Sequence, residues 1–147
     1  MTGSDREVES SAWTPAPNPG DILWCHFPNY DPKDPTLKER PALVISVMDD
    51  SEPARLRVAY GTSQRPKPIP RGCFLIEKES ELRVAGLRVP TRFDLKNLVV
   101  LPYTLSAFMN APGELGMLKP SPLMGVLPAS RYNDLKRAAD EAKLTRR

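Results

Sequence analysis

The chain has 147 residues, of which 40% are hydrophobic and 27% are charged, a balance that excludes a mainly disordered chain and fits one domain with a substantial core. Its formal net charge of +3 would attract a polyanion only mildly, which excludes a histone-like surface. The 17 prolines exclude long helices through most of the chain and favour short strands joined by stiff loops.

The residues that most often bind metals are few and widely spaced. Cys25, Cys73 and the single His26 show no spacing typical of a metal site, so we expect no metal and no cofactor, and two reduced thiols are the simplest interpretation. No run approaches the roughly 18 apolar residues of a membrane span, and the N-terminus has no signal pattern. We therefore expect a cytoplasmic protein that does not contact a membrane.

The chain divides into an arm and a domain. Residues 1–18 are polar and proline-spaced, which predicts a flexible arm that docks at most through Trp13. Residues 19–147 form the predicted domain. Its first strand is expected over Asp21–Phe27, and a long proline-broken loop then leads to Arg40.

A charged residue, Arg40, stands directly before the strand that is predicted to follow this loop. A short apolar run over Ala42–Val47 predicts a strand buried on both faces. Pro41 has no N–H for a ladder and is expected to be the first residue of that strand. Because Pro41 also biases Arg40 toward an extended backbone, the sequence predicts a charged side chain held at the rim of a sheet, either solvated or functional.

Further strands are predicted downstream. Arg55–Tyr60 alternates charged and apolar residues and is expected to form a hairpin with the preceding strand. The segments Cys73–Glu77 and Leu95–Leu101 are also predicted strands, the latter preceded by TRFD. Several short strands with turn-rich connections indicate a mainly β fold, a small barrel.

Near the C-terminus the sequence pattern changes from that of strands to that of a helix. Ser130 is a suitable N-cap, and apolar residues follow at helical spacing, which predicts one amphipathic helix over 130–145 that packs on the barrel. An apparent insertion, Asn110–Pro122, precedes it, and the sequence leaves open whether this segment covers a binding groove.

Three segments in fixed order resemble the MazF/PemK family of toxin–antitoxin ribonucleases: PGDILWCHFP (Pro19–Pro28), KERPALVIS (Lys38–Ser46) and VAYGTSQ (Val58–Gln64). The resemblance covers Pro19–Gln64 well and Gly72–Leu101 loosely. It implies an SH3-like barrel of the CcdB/MazF/PemK kind and a homodimer that binds single-stranded RNA. It also implies metal-independent endoribonuclease activity that leaves a 2′,3′-cyclic phosphate, growth inhibition, and an acidic antitoxin as partner.

The resemblance assigns the catalytic Arg to Arg40 and the catalytic Thr or Ser to Thr62. Arg40 suits stabilisation of charge on the phosphoryl oxygens, but a guanidinium group is a poor base. Thr62 and Ser63 offer hydroxyls and backbone N–H groups after Gly61, whose missing side chain would let a phosphate approach closely. Gln64 could contact a base edge. The same four residues could also form an ordinary turn, but their occurrence in order after Arg40 favours the functional interpretation.

The acid and base positions of the family are only partly filled. Pro35 and Thr36 stand where members often carry an acidic–amide pair, so only Asp34 could substitute. His26 is a candidate base because its ordinary pKa is near neutrality, although it shares a strand face with Ile22 and Trp24, which favours a structural histidine.

Some family members also use an Arg and an Asp on the later strand, where this chain has Val99 and Leu101. Arg92 and Asp94 lie upstream and could act from a different position. Because a missing general acid or base costs about 10² to 10⁴ in rate, the sequence also allows a weak or inactive ribonuclease.

Cations on the two proline-rich loops are candidates for phosphate contacts along a single strand, and Tyr30 and Tyr60 are candidates for base stacking. These cations are Lys33, Lys38, Arg65, Lys67 and Arg71. A solvated surface explains such charges equally well. The alternative function is a non-catalytic protein of the CcdB/PemK fold that binds and inhibits, or regulates, a protein partner.

Overall fold

The computed structural model describes residues 11–26, 39–49 and 51–145. Seven strands and two α-helices are present in these ranges: β1 (Asp21–His26), β2 (Glu39–Asp49), β3 (Arg55–Thr62), β4 (Cys73–Ile76), α1 (Glu79–Ala85), β5 (Thr91–Asp94), β6 (Val99–Pro102), β7 (Leu123–Val126) and α2 (Tyr132–Thr145). Neither helix has the length and apolar character needed to cross a membrane.

All pairs of neighbouring strands are antiparallel, in the order β4-β5-β3-β2-β1-β7. Strand β3 also pairs with β6: its first half, Arg55–Val58, lies beside β6, and its last residues, Gly61 and Thr62, lie beside β5. Because two strands share one edge of β3, the sheet curls into a half-barrel. The predicted mainly β, barrel-like fold with a C-terminal helix is confirmed.

The central strands bury both faces, as the apolar run in β2 predicts. Successive residues on a strand point to opposite faces, and here Ala42 and Val44 enter one core cluster while Leu43 enters another. The register of β2 with β3 pairs Ala42 with Tyr60, which confirms the predicted hairpin.

Strand β2 is longer than predicted, and Pro41 is its third residue rather than its first. Pro41 pairs with Trp24 of β1, whose N–H donates to Pro122 and whose carbonyl accepts from Met109. The backbone groups of Trp24 therefore point away from β2, so a proline opposite it removes no bond of that ladder.

Only the end of the segment predicted as a strand over Leu95–Leu101 is a strand, because β6 begins at Val99. The preceding segment TRFD forms strand β5. The Asp94 carboxylate accepts hydrogen bonds from the Lys96 backbone N–H and the Asn97 side chain, which stabilises a turn between the two strands. Strand β7 and helix α1 carry no expectation from the sequence pattern.

The C-terminal helix begins later than predicted. Ala129–Arg131 forms a 3₁₀ turn with Pro128 at its N-cap position, and α2 starts at Tyr132. Ser130 is therefore not the N-cap, because it lies within the preceding turn. The apolar side of α2, including Ala138 and Ala142, packs on the core as expected.

Arg131 joins α2 to the sheet and to α1. Its guanidinium donates to Glu81 at 2.7 Å, to Asp134 at 2.8 Å and to the Leu75 carbonyl at 2.9 Å, and it lies 4.7 Å from the Phe74 ring centroid. Such a half-buried, multiply bonded guanidinium fixes orientation more than a surface ion pair does.

Two segments outside the regular elements are anchored to the barrel. Trp13 donates from its backbone N–H to Tyr103 and from its indole to Phe108, while residues 1–10 of the expected arm lie outside the described ranges. In the excursion Asn110–Pro122, Pro112 forms a bridge with Leu118, and the Asn110 side chain donates to the Lys119 carbonyl.

The end of α1 lies directly against β7. Gly86 has φ +71°, and a Cβ built there would collide with the Met124 carbonyl. At Gly125 a Cβ would collide with the backbone of Ala85. Two glycines therefore permit a backbone-to-backbone contact that larger residues would prevent.

Gly86→Ala is expected to destabilise the fold much more than Gly116→Ala. Both positions have a left-handed φ, +71° and +76°, so both substitutions carry about 1–2 kcal/mol of strain. Only Gly86 also meets a backbone carbonyl, whereas nothing lies within 4 Å of the Cβ position at Gly116. We expect a loss of at least about 3 kcal/mol for Gly86→Ala in urea unfolding. Equal losses would mean that the contact of α1 with β7 tolerates a side chain.

Candidate functional site

A cavity of about 340 Å³ opens where β1, β2 and β3 meet the segment after α1. This volume is at the small end of the range of ligand sites. Its lining includes six residues with polar or aromatic side chains that matter below: Trp24, Glu39, Arg40, Thr62, Ser63 and Arg88.

Arg40 and Thr62 line this cavity together, although 21 positions separate them in the chain. The ladder of β2 with β3 reaches Ala42 and Tyr60 at this end, and Arg40 and Thr62 each lie two residues beyond that pair, on the two adjoining strands. The Cys25 thiol donates to the Arg40 carbonyl at 3.3 Å, which anchors the backbone that carries the guanidinium.

The turn after Thr62 is held from both sides. The Gln64 N–H donates to the Thr62 hydroxyl oxygen at 3.2 Å, a local bond typical of turns that begin with a threonine. Arg92 donates to the Gln64 carbonyl at 2.9 Å and to the Cys73 thiol at 3.3 Å. Arg92 thus positions the turn that carries Thr62 and Ser63.

The structure gives a reason for a glycine at position 61 that differs from the approach of a phosphate. A Cβ at this position would lie 2.7 Å from the Thr91 methyl group, 2.9 Å from the Phe93 ring and 3.0 Å from the Pro41 ring. Gly61 is buried between these residues, so its small size is required by packing.

Two of the acid and base candidates lie apart from the cavity. His26 is exposed at the end of β1, paired with Glu39, and does not line the cavity. Asp94 accepts bonds in the turn after β5 and is also absent from the lining. Asp34 falls outside the described residues.

The candidate RNA-binding cations are dispersed. Arg65 forms an ion pair with Glu77 at 3.6 Å, and Lys67 is exposed; neither lines the cavity. Ser63 lines the cavity, whereas Gln64, the next residue, does not. Lys38 falls outside the described residues, as do Lys33 and Tyr30.

Three residues of the cavity lining, Glu39, Trp24 and Arg88, were not assigned to a site by the sequence pattern. Glu39 adjoins Arg40 in the motif KERP, so its position beside the cation was the available signal. Trp24 pairs with Pro41. Arg88, in the connection from α1 to β5, donates to the Gly113 carbonyl at 3.2 Å, and no sequence signal connects it with this site.

Burial raises the pKa of two ionisable groups on the strands that carry or adjoin Arg40 and Thr62, namely Cys25 and Tyr60. Desolvation raises the pKa of the Cys25 thiol from 9.0 to about 12. The pKa of Tyr60 is also raised, first by desolvation and then by the charge of Cys25. Both groups therefore stay protonated near neutral pH, and the Cys25 thiol keeps the proton that it donates to Arg40.

In the described part of the chain, no group of three or more His, Cys, Asp or Glu residues is arranged to bind a metal ion. The side chains that line the cavity include one carboxylate, that of Glu39, and two guanidinium groups, those of Arg40 and Arg88.

Comparison with known proteins identifies the fold. A chain of a solved structure described as "Endoribonuclease in complex with its cognate antitoxin from Mycobacterial species" superposes with a TM-score of 0.50 and 14% sequence identity, over 87% of this chain and 95% of that chain. At this identity the likeness concerns the fold, which is consistent with the MazF/CcdB-like barrel. No protein-family model and no curated protein sequence matches the chain.

Cys73 is expected to react with a thiol reagent before Cys25 in the native protein. The Cys25 thiol is buried and its pKa is raised, whereas Cys73 is half-buried. In Cys73→Ser, labelling should therefore await unfolding. Fast labelling of native Cys73→Ser would contradict the burial.

The same thiol makes the stability of the fold depend on pH. Because the unfolded Cys25 thiol ionises near pH 9 and the folded one only near pH 12, its contribution to stability is complete below pH 9 and is lost as pH rises toward 12.

Proposed function

We propose that the chain is a metal-independent endoribonuclease that cleaves single-stranded RNA and acts as the growth-inhibiting toxin of a toxin–antitoxin system. The observation that carries this proposal is that Arg40 and Thr62 line one cavity, the two positions to which the MazF/PemK resemblance assigns catalysis. In the reaction the 2′-oxygen forms a bond to phosphorus, the bond from phosphorus to the 5′-oxygen breaks, and a 2′,3′-cyclic phosphate remains.

Arg40 supplies positive charge to the phosphoryl oxygens. A guanidinium presents a planar set of donors that matches a phosphate. The bond from Cys25 to the Arg40 carbonyl holds the backbone in place before substrate arrives. Preorganised donors of this kind contribute about 10² to 10³ in rate.

Thr62 orients the phosphate from the other strand. Its oxygen already accepts the Gln64 N–H, so the hydroxyl proton can be donated outward to a phosphoryl oxygen. Arg92 fixes the same turn through the Gln64 carbonyl. Ser63 extends the set of hydroxyl donors at the cavity.

Glu39 is the best candidate for the proton acceptor that the family pattern leaves unfilled. Its side chain is the carboxylate in the cavity lining, and it lies on strand β2 directly before Arg40. An ionised carboxylate can accept the proton of the 2′-hydroxyl, which Arg40 cannot do. His26, exposed beside Glu39 in the ladder, remains a candidate to protonate the departing 5′-oxygen.

A second function, binding of a protein partner without catalysis, has one observation in its favour. The tip of the excursion exposes three apolar side chains, with exposed fractions of 96% at Leu115, 70% at Met117 and 69% at Leu118. Exposed apolar groups of this size favour a protein contact. An acidic antitoxin or a second copy of the chain is the partner implied by the family resemblance, and a cytoplasmic location agrees with both functions.

Arg40→Ala and Thr62→Ala are expected to slow RNA cleavage strongly in excess chelator. Wild-type protein should leave 2′,3′-cyclic phosphate ends, and Arg40→Ala should lower the rate by about 10² to 10³. Arg137→Ala is the matched control, because it removes an exposed arginine far from the cavity. Folded wild-type protein that cuts no better than Arg40→Ala would refute the ribonuclease and favour the binding function.

Glu39→Gln is expected to lower the cleavage rate by about 10² to 10⁴ while leaving RNA binding nearly unchanged, because the amide keeps the shape but accepts no proton. Glu114→Gln, at an exposed position of the excursion, controls for the change in charge. Single-turnover rates and RNA binding are measured separately. An unchanged rate in Glu39→Gln would exclude this residue as the base.

A further inference from the structure

The cavity extends beyond the proposed catalytic pair. Its remaining wall comes from the segment after α1, which contributes Leu87 and Arg88, and from Met124 of β7. Trp24 of β1 lines the same space. This region is therefore mainly apolar, with an indole and a guanidinium as its distinctive groups.

Arg88 is exposed, and a hydrogen bond connects its side chain to the excursion. One of its terminal nitrogens donates to the Gly113 carbonyl at 3.2 Å, which ties the connection after α1 to the excursion. Because a guanidinium has five N–H donors, this bond leaves others for a ligand. The anchoring lowers the entropy that Arg88 would lose on binding.

A flat aromatic ligand with acceptor atoms fits these groups. Indole rings bind nucleobases by stacking, a contact that contributes about 1–3 kcal/mol per base, and guanidinium groups donate to base-edge acceptors. The volume of about 340 Å³ is within the range of small-molecule sites. Continuity with Arg40 and Thr62 sets such a ligand next to the phosphate that they would bind.

We propose that this part of the cavity binds one nucleobase of the RNA, adjacent to the cleaved phosphate, with Trp24 contacting its face and Arg88 its edge. The inference rests on the proposed function for the identity of the ligand. It requires no catalytic step, so base binding can be measured in a protein that does not cleave.

Charge favours a nucleotide over an apolar side chain of a protein as occupant. Two arginines, Arg40 and Arg88, line the space against one carboxylate, Glu39. A nucleotide provides a phosphate for the first arginine and an acceptor-bearing edge for the second, whereas an apolar side chain would desolvate both guanidinium groups and add no acceptor for either.

Tryptophan fluorescence tests the inference directly, since the chain has only two tryptophans. In a Trp13→Phe background, Trp24 is the sole reporter. Titration with guanosine 3′-monophosphate is expected to quench it, whereas ribose 5-phosphate, which lacks a base, should not. Arg88→Gln should weaken nucleotide binding about tenfold or more. Arg83→Gln, an exposed arginine of α1 paired with Glu79, should leave it unchanged.

The controls separate this inference from the proposed function. Each variant is first checked for a native melting transition. Quenching that persists in Arg40→Ala while cleavage is lost would support a base site distinct from the catalytic pair. Cleavage by wild-type protein without any response of Trp24 to the nucleotide would overturn the base site and leave the ribonuclease standing. Equal quenching by ribose 5-phosphate, or equal binding by Arg88→Gln, would also overturn it.

Discussion

The division of one edge of β3 between two partners is the constraint on which the fold depends. A strand has two hydrogen-bonding edges, and β2 occupies one of them along most of β3. On the other edge, β6 pairs with Arg55–Val58 and β5 with Gly61 and Thr62. The sheet must bend where the partner changes. Gly61 lies at that bend, buried against neighbours that leave no space for a Cβ, and the next residue is Thr62.

This bend explains why the candidate site is located at the ends of the strands. Beyond Tyr60 the ladder of β2 with β3 opens, and the cavity occupies the space between the two strands and the connection after α1. The groups proposed for catalysis are thus carried by strands, which hold side chains more rigidly than loops do. The outer wall comes from Arg88 and from Pro112 of the excursion, both of which lie outside the strands of the barrel.

The arginines show why net charge predicts little about binding. Arg131 is committed to α2, Glu81 and the Leu75 carbonyl, and Arg92 to the turn after Thr62. Arg40 and Arg88 line the cavity. The formal charge of +3 counts these four arginines equally, because a net charge carries no information on where each guanidinium lies in the fold.

The sequence by itself determined the strands with strong local patterns, the hairpin of β2 with β3 and the C-terminal helix, because apolar periodicity is a property of neighbouring residues. It also indicated Arg40 and Thr62, through motifs in fixed order. The sequence could not assign Glu39, Trp24 and Arg88 to one cavity, or divide Leu95–Leu101 into a turn and β6. These features depend on contacts between segments distant in the chain, such as Arg88 with Gly113, and only the tertiary structure decides such contacts.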